Sequence, residues 1–291
     1  MYNRYEKKEE PKLLKSVAVI IFKPNIQLEL GWNDSRKLCD KYIYDIYQSS
    51  KTMVNYRIEI IKEVNDFPEF ENGWSFANST DYYTKFQRRI IPNTSCDYLK
   101  TIEKFHKDMP DVDEYWWFGA PYFGFYESLM FGKNPIWCNS PGLNYPSRNK
   151  IIMGFNYERG VGEMLEDFSH RTEFIMSYCK NYLWKYFLKD NGSVHCPPNT
   201  TRDYDWGNKE LVETNCDAWY NWPIYENKRK ATNCAEWGNG DIREHHKWWL
   251  NHLPKEWWKY ICDLNIIEKQ KLLFPLQNIG NMVQYRNKFK V

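Results

Sequence analysis

Apolar residues in the first two-thirds of the chain alternate between short continuous runs and helically spaced stretches. Val17-Ala-Val-Ile-Ile-Phe22 is a continuous run stopped close to Pro24, the form of a strand buried on both faces. Asn33-Asp34-Ser35 offers N-cap chemistry ahead of Leu38, Tyr42, Ile43, Ile46 and Tyr47, whose spacing is helical, and Tyr56-Arg-Ile-Glu-Ile-Ile61 returns to strand character. A polar stretch over 65–95 reads as loop. A short helix is expected over 97–107, ended at Met109-Pro110, and Glu114-Tyr-Trp-Trp-Phe118 follows as a strand stopped by Gly119 and Pro121. A loop-rich insertion runs from Ala120 to Arg148, then a strand over Ile151–Phe155. The longest helix is expected over 159–189, closed by Asn191-Gly192. Alternating strands and helices predict an α/β layer with a largely parallel sheet, α+β remaining open. The expected division is a charged tail over 1–15, an α/β subdomain over 16–190, and an irregular Trp-rich C-terminal subdomain over 191–291 packed on it.

Composition narrows the classes. Lys and Arg number 40 against 38 Asp and Glu, interspersed, so no broad positive field recommends nucleic acid as partner. The longest apolar run is about a third of the ~18 residues a membrane span needs. The N-terminus lacks the basic start, apolar core and small-residue site of a secretory leader, so the chain as it stands is expected in the cytoplasm. Aromatic residues make 18% of the chain; they serve the core or line a sugar- or peptide-binding cleft. The eight cysteines carry no CxxC pair, which reads as buried free thiols, although an exported relative could pair those between Cys179 and Cys234.

Candidate chemistry concentrates on the long helix. At 100° per residue, Glu163, Glu166, Asp167, His170 and Glu173 fall within about 120° of one another, while Met164, Leu165, Phe168, Ile175 and Met176 occupy the opposite side. Glu166, His170 and Glu173, spaced i, i+4 and i+7, could converge on one divalent metal, zinc or calcium; the same spacing also suits a solvated face. Asp167 and Glu166 are candidates for activating water, and His195, in the loop after the helix, is a further ligand or general acid/base.

The order of elements resembles that of zincin metallopeptidases, and Glu166-Asp-Phe-Ser-His170 occupies the frame of their HExxH motif. Glu166 stands where that motif has its first His, Asp167 where it has the general-base Glu, and no HxxGxxH continuation follows. The resemblance implies an atypical or a degenerate metal site. The strings Gly119-Ala-Pro-Tyr-Phe-Gly-Phe-Tyr-Glu-Ser128, Trp137-Cys-Asn-Ser-Pro141, Tyr157-Glu-Arg-Gly-Val-Gly-Glu-Met-Leu-Glu-Asp-Phe-Ser-His-Arg171, Val194-His-Cys-Pro-Pro-Asn199 and Trp248-Trp-Leu-Asn-His-Leu-Pro254 are similar to a group of uncharacterised, often exported bacterial proteins. Carbohydrate-associated modules accompany several of that group, which implies a surface or extracellular polymer as target.

Tyr122, Glu127, Trp137, Asp203 and Asp205 are the candidates for contacting substrate. Carboxylates among Glu127, Asp203, Asp205 and Asp217 would support glycoside hydrolysis if a pair stood ~5–5.5 Å or ~6.5–9.5 Å apart. Cys138 and Cys196 are weaker candidates as nucleophiles, and His245, His246 and His252 match no compact zinc spacing. Neither GxSxG, a P-loop nor GxGxxG is present. The expectation is an atypical metal-dependent hydrolase acting on a peptide or glycan polymer. Its alternatives are a non-catalytic carbohydrate- or protein-binding module and a metal-free glycoside hydrolase.

Overall fold

The apolar run at the start becomes the centre of a sheet. In the computed structural model, which describes residues 13–24, 30–224 and 226–266, strand β1 (Leu13–Phe22) lies between β2 (Val54–Val64) and β3 (Glu114–Gly119), parallel to both. Every residue of Val17–Phe22 is buried, because helices cover both faces of a parallel sheet. Strand β6 (Lys150–Asn156) extends the sheet in parallel from β3, and β4 (Ser128–Gly132) pairs antiparallel with β6. With the two-residue β5 (Leu143–Asn144), the order is β2-β1-β3-β6-β4-β5. The α/β class with a mostly parallel sheet is therefore as the pattern predicts.

Several local readings change. Of the tail expected over 1–15, residues 13–15 belong to β1 and residues 1–12 lie outside the described residues. The polar 65–95 stretch contains helix α2 (Ser79–Gln87), which buries Tyr82. The insertion between Ala120 and Arg148 supplies β4 and β5. Helices α1 (Ser35–Ser49) and α3 (Tyr98–His106) start as expected, capped by the side chains of Asp34 and Asp97.

The long helix α4 (Val161–Asn191) is broken at Lys180, whose φ of −138° and ψ of 33° leave the helical region. No Pro or Gly marks the break. Its cause is tertiary: beyond it, Trp184 and Phe187 pack against Trp249 and Trp257, and the Lys180 ammonium sits 4.4 Å over the Tyr260 ring. Trp249 belongs to α5 (Ile242–Asn251) and Trp257 to α6 (Trp257–Cys262). These residues share one continuous core with the sheet, so most of the aromatic content is spent on packing. A short hairpin, β7 (Val212–Thr214) with β8 (Lys230–Thr232), stands apart from the main sheet. All eight cysteines are free thiols, six of them buried. No described helix is long and apolar enough to cross a membrane.

Candidate metal centre

The rotation of α4 about its axis is fixed from the buried side. Met164, Leu165, Phe168, Ile175 and Met176 are all buried. Arg171, with no exposure, donates from Nη2 to Glu114 Oε1 at 2.8 Å and to the Ile261 carbonyl at 2.8 Å. With Arg171 held inward, His170 and its acidic neighbours are turned to the other face. At the start of the helix Glu163 accepts from the Gly160 N–H at 3.2 Å.

The chain then returns to that face. At about 1.5 Å per residue, an unbroken helix would carry Asn191 roughly 31 Å beyond His170. Four more residues reach at most about 14 Å. The break at Lys180 folds the helix back and makes contact between His170 and His195 attainable. Gly192 completes the reversal with φ 73° and ψ −174°, a combination open essentially to glycine alone. A Cβ there would lie 2.2 Å from the Cys196 carbonyl oxygen. The Val194 N–H then donates to Glu173 Oε1 at 3.2 Å, and His245 Nε2 stands 3.3 Å from the Val194 carbonyl. The backbone of Val194, next to His195, is thus held at both its N–H and its carbonyl.

Three donors meet at one point. His170 Nε2 and His195 Nε2 are 2.9 Å apart, and Glu166 Oε1 is 3.1 Å from His195 Nε2; the three can hold one metal ion. Donors roughly 2.0–2.1 Å from a tetrahedral zinc stand about 3.3–3.4 Å apart, so the observed spacings are a few tenths of an ångström short of that arrangement. Glu173, expected as a ligand, lies on the other side of the ring: its Oε2 is 3.3 Å from His170 Nδ1. A carboxylate at Nδ1 keeps the proton on that nitrogen and turns the Nε2 lone pair toward the shared point. His195, expected as a ligand or an acid/base group, takes the position assigned to Glu173.

The electrostatics fit a site that attracts positive charge. Burial disfavours a charged His170, yet the Glu173 hydrogen bond and the charges of Glu127 and Glu166 push it up to about 9. Burial also opposes ionisation of Glu166, but its hydrogen bond with His195 and the nearby charge of His170 hold its carboxyl below the usual range. Asp167 is pushed well above the carboxylate range by burial and by the charges of Glu127, Glu166 and Glu163. Behind the site, burial pushes His245 and His246 down to about 3, so both are neutral.

Glu127 precedes β4 and accepts a hydrogen bond from Asn139 Nδ2. Its loop lies so close over β6 that a Cβ on Gly154 would fall 2.3 Å from the Tyr126 carbonyl oxygen. Trp137 sets its ring edge-on to Phe174. Tyr122 packs against Phe86 of α2. Asp203 accepts from the Cys196 thiol at 3.1 Å, while Asp205 accepts from Thr200 and Asn208 and pairs with Arg202. Those two carboxylates shape the loop that carries His195. The Cys138 and Cys196 thiols are each pushed up to about 11, chiefly by burial, which leaves little thiolate at neutral pH.

One residue in the site carries no signal in sequence reasoning beyond its turn-like context. Tyr204 places its hydroxyl 3.2 Å from His195 Nε2. Elsewhere, Cys216, Asp217 and His252 also converge, with His252 Nε2 3.2 Å from Asp217 Oδ1. Lys230 holds the other Asp217 oxygen at 3.1 Å, so a cation already answers that carboxylate. Comparison with models of known protein families and with curated protein sequences finds no match.

Proposed function

We propose that the chain is a metal-dependent hydrolase whose divalent cation is held by Glu166, His170 and His195. The observation that carries this reading is the meeting of two imidazole Nε2 atoms and a carboxylate oxygen, one imidazole being oriented by Glu173 through its far nitrogen. Two nitrogen donors and one oxygen donor suit zinc, whereas calcium takes six to eight oxygens. Three protein ligands leave a coordination position for substrate or water, the mark of catalytic rather than structural zinc sites. Bound there, the cation supplies Lewis-acid chemistry, polarising a scissile group and acidifying water.

The chain's own residues supply the rest. Asp167, next in sequence to the ligand Glu166 and pushed toward its protonated form by burial and by the charges of Glu127, Glu166 and Glu163, is the residue assigned to general acid/base work. Glu127, exposed and fixed by Asn139, forms the acidic wall facing solvent. The aromatic richness of the chain, with Trp137 half-buried against Phe174 of α4, is in keeping with an extended polymer, peptide or glycan, as substrate.

The test is release of soluble fragments from casein and from a panel of insoluble polysaccharides by chelator-stripped protein, with and without one equivalent of zinc. Zinc-dependent hydrolysis that is lost in Asp167→Asn, with zinc still bound, supports the reading. A variant series that binds zinc yet hydrolyses none of these polymers counts for a binding module, and hydrolysis indifferent to chelator counts for a metal-free glycosidase.

A further inference from the structure

Away from the centre on α4, three side chains from two segments meet beside the small hairpin. Cys216 opens a single 3-10 turn, Cys216–Ala218, just after β7, and Asp217 follows it; His252 is the residue that closes α5. Cys216 and His252 are buried, whereas the Asp217 side chain is half-exposed. One donor atom from each of the three lies within 4.8 Å of the other two.

The setting of the imidazole determines what the cluster can do. His252 Nδ1 stands 2.7 Å from the Trp248 carbonyl oxygen, which only accepts, so Nδ1 carries a proton and Nε2 is the nitrogen left for the cluster. Nε2 is 3.2 Å from Asp217 Oδ1, and Cys216 Sγ is 3.9 Å from that same oxygen. A histidine that activates a thiol nucleophile keeps thiol and carboxylate on opposite ring nitrogens, whereas here Nε2 alone serves both. An imidazole lone pair facing a carboxylate oxygen needs a positive centre between them, and a metal ion satisfies the sulfur as well. Around a tetrahedral zinc, sulfur and oxygen donors stand about 3.5–3.6 Å apart and nitrogen and oxygen donors about 3.3–3.4 Å, within a few tenths of an ångström of these spacings. Lys230 takes Asp217 Oδ2 at 3.1 Å and Glu236 Oε2 at 2.6 Å, and so answers the other oxygen while leaving Oδ1 to the imidazole.

We propose that Cys216, Asp217 and His252 form a second metal site for one divalent cation of the zinc type, with water as its fourth ligand on the exposed Asp217 side. Sulfur and nitrogen donors favour such a cation over calcium or magnesium. The site stands independently of the centre on α4. On binding, the thiol S–H bond breaks, its proton leaves to water, and the sulfur's electron pair goes to the cation. With Cys216 and His252 covered, the cation's work there is to hold segments together. Strands β7 and β8 are three residues each, and a two-stranded hairpin is marginal by itself. The cation joins the segment leaving β7 to the end of α5, while Lys230 of β8 ties its strand to the same carboxylate.

Cobalt(II) added to the stripped, reduced full chain tests this, because cobalt held by a thiolate gains a near-ultraviolet charge-transfer band that the Glu166, His170 and His195 centre, with no sulfur ligand, does not give. The expected result is that band with two cobalt ions bound per chain. It should vanish in Cys216→Ser, whose one remaining cobalt shows that the variant is folded, and persist in His195→Ala. Asp217→Asn, at a half-exposed position, is expected to weaken cobalt binding at this site about tenfold or more. No band in the wild-type chain, or a band that persists in Cys216→Ser, would overturn the proposal and leave the centre on α4 as it is. A band lost in His195→Ala would assign the sulfur to Cys196 and overturn it as well. The band with a single cobalt per wild-type chain, lost in Cys216→Ser, would support this site and count against the centre on α4.

Discussion

Replacing Arg171 by Met tests how the helix is held in the rotation the site needs. Arg171 and Glu114 are 0% and 1% exposed, and among the described residues the guanidinium is the one cation paired with that carboxylate. Without it, Glu114 keeps the Tyr56 hydroxyl at 3.1 Å on one oxygen and the Trp116 indole N–H at 3.4 Å on the other, two neutral donors for a buried charge. Breaking a buried pair from one side costs about 3–5 kcal/mol, a large part of a domain's total stability. Neutralising both sides removes the orphaned charge, so Arg171→Met with Glu114→Gln should recover most of that loss. Urea denaturation at pH 7 reads the difference as a midpoint shift at unchanged slope. A single variant within about 1 kcal/mol of wild type, or a double variant less stable than the single, would refute the view that this pair fixes the helix.

Two further outcomes follow from burial and backbone geometry. His245 and His246 have folded-state values depressed to about 3 from 6.5, so the unfolded chain binds protons that the folded chain refuses. Their contribution is complete above pH 6.5 and is lost as pH falls toward 3, at about 1.4 kcal/mol per pH unit for each residue; urea midpoints between pH 7 and 5 should fall less steeply in His246→Leu, and equal slopes would contradict the assignment. Gly192→Ala should cost about 1–3 kcal/mol from its backbone alone. It should also weaken zinc binding at least tenfold by shifting the His195 loop, whereas zinc affinity equal to wild type would show that the reversal does not position His195.

Legibility in the sequence followed the physics of each element. Val17–Phe22 and Ile151–Phe155 announced themselves because strands covered on both faces need unbroken apolar runs. Helix α2, reading Ser-Thr-Asp-Tyr-Tyr-Thr-Lys-Phe-Gln, buries one residue and carries too little apolar pattern to be seen. Strand β4 is defined by pairing with β6, which no local signal encodes. The break at Lys180 depends on where Trp249 and Trp257 lie, far along the chain. At the site, the acidic stripe with His170 was visible as helical spacing, and His195 as a histidine in a Pro-braced loop. Which face of the imidazole Glu173 would meet was not, since i, i+3 spacing fixes proximity and leaves the choice between Nδ1 and Nε2 to side-chain rotation. Tyr204 was hidden because only the fold of its turn brings the hydroxyl to His195.

Zinc binding to the stripped chain, compared with His195→Ala by calorimetry and elemental analysis, tests the central claim most directly. The account predicts one zinc per chain at the Glu166, His170 and His195 centre, with affinity reduced at least a hundredfold in His195→Ala and reduced less in Glu173→Gln, where the ligands remain and only the orientation of His170 is loosened. Absence of bound zinc in the wild-type chain, or equal affinity in wild type and His195→Ala, would contradict it.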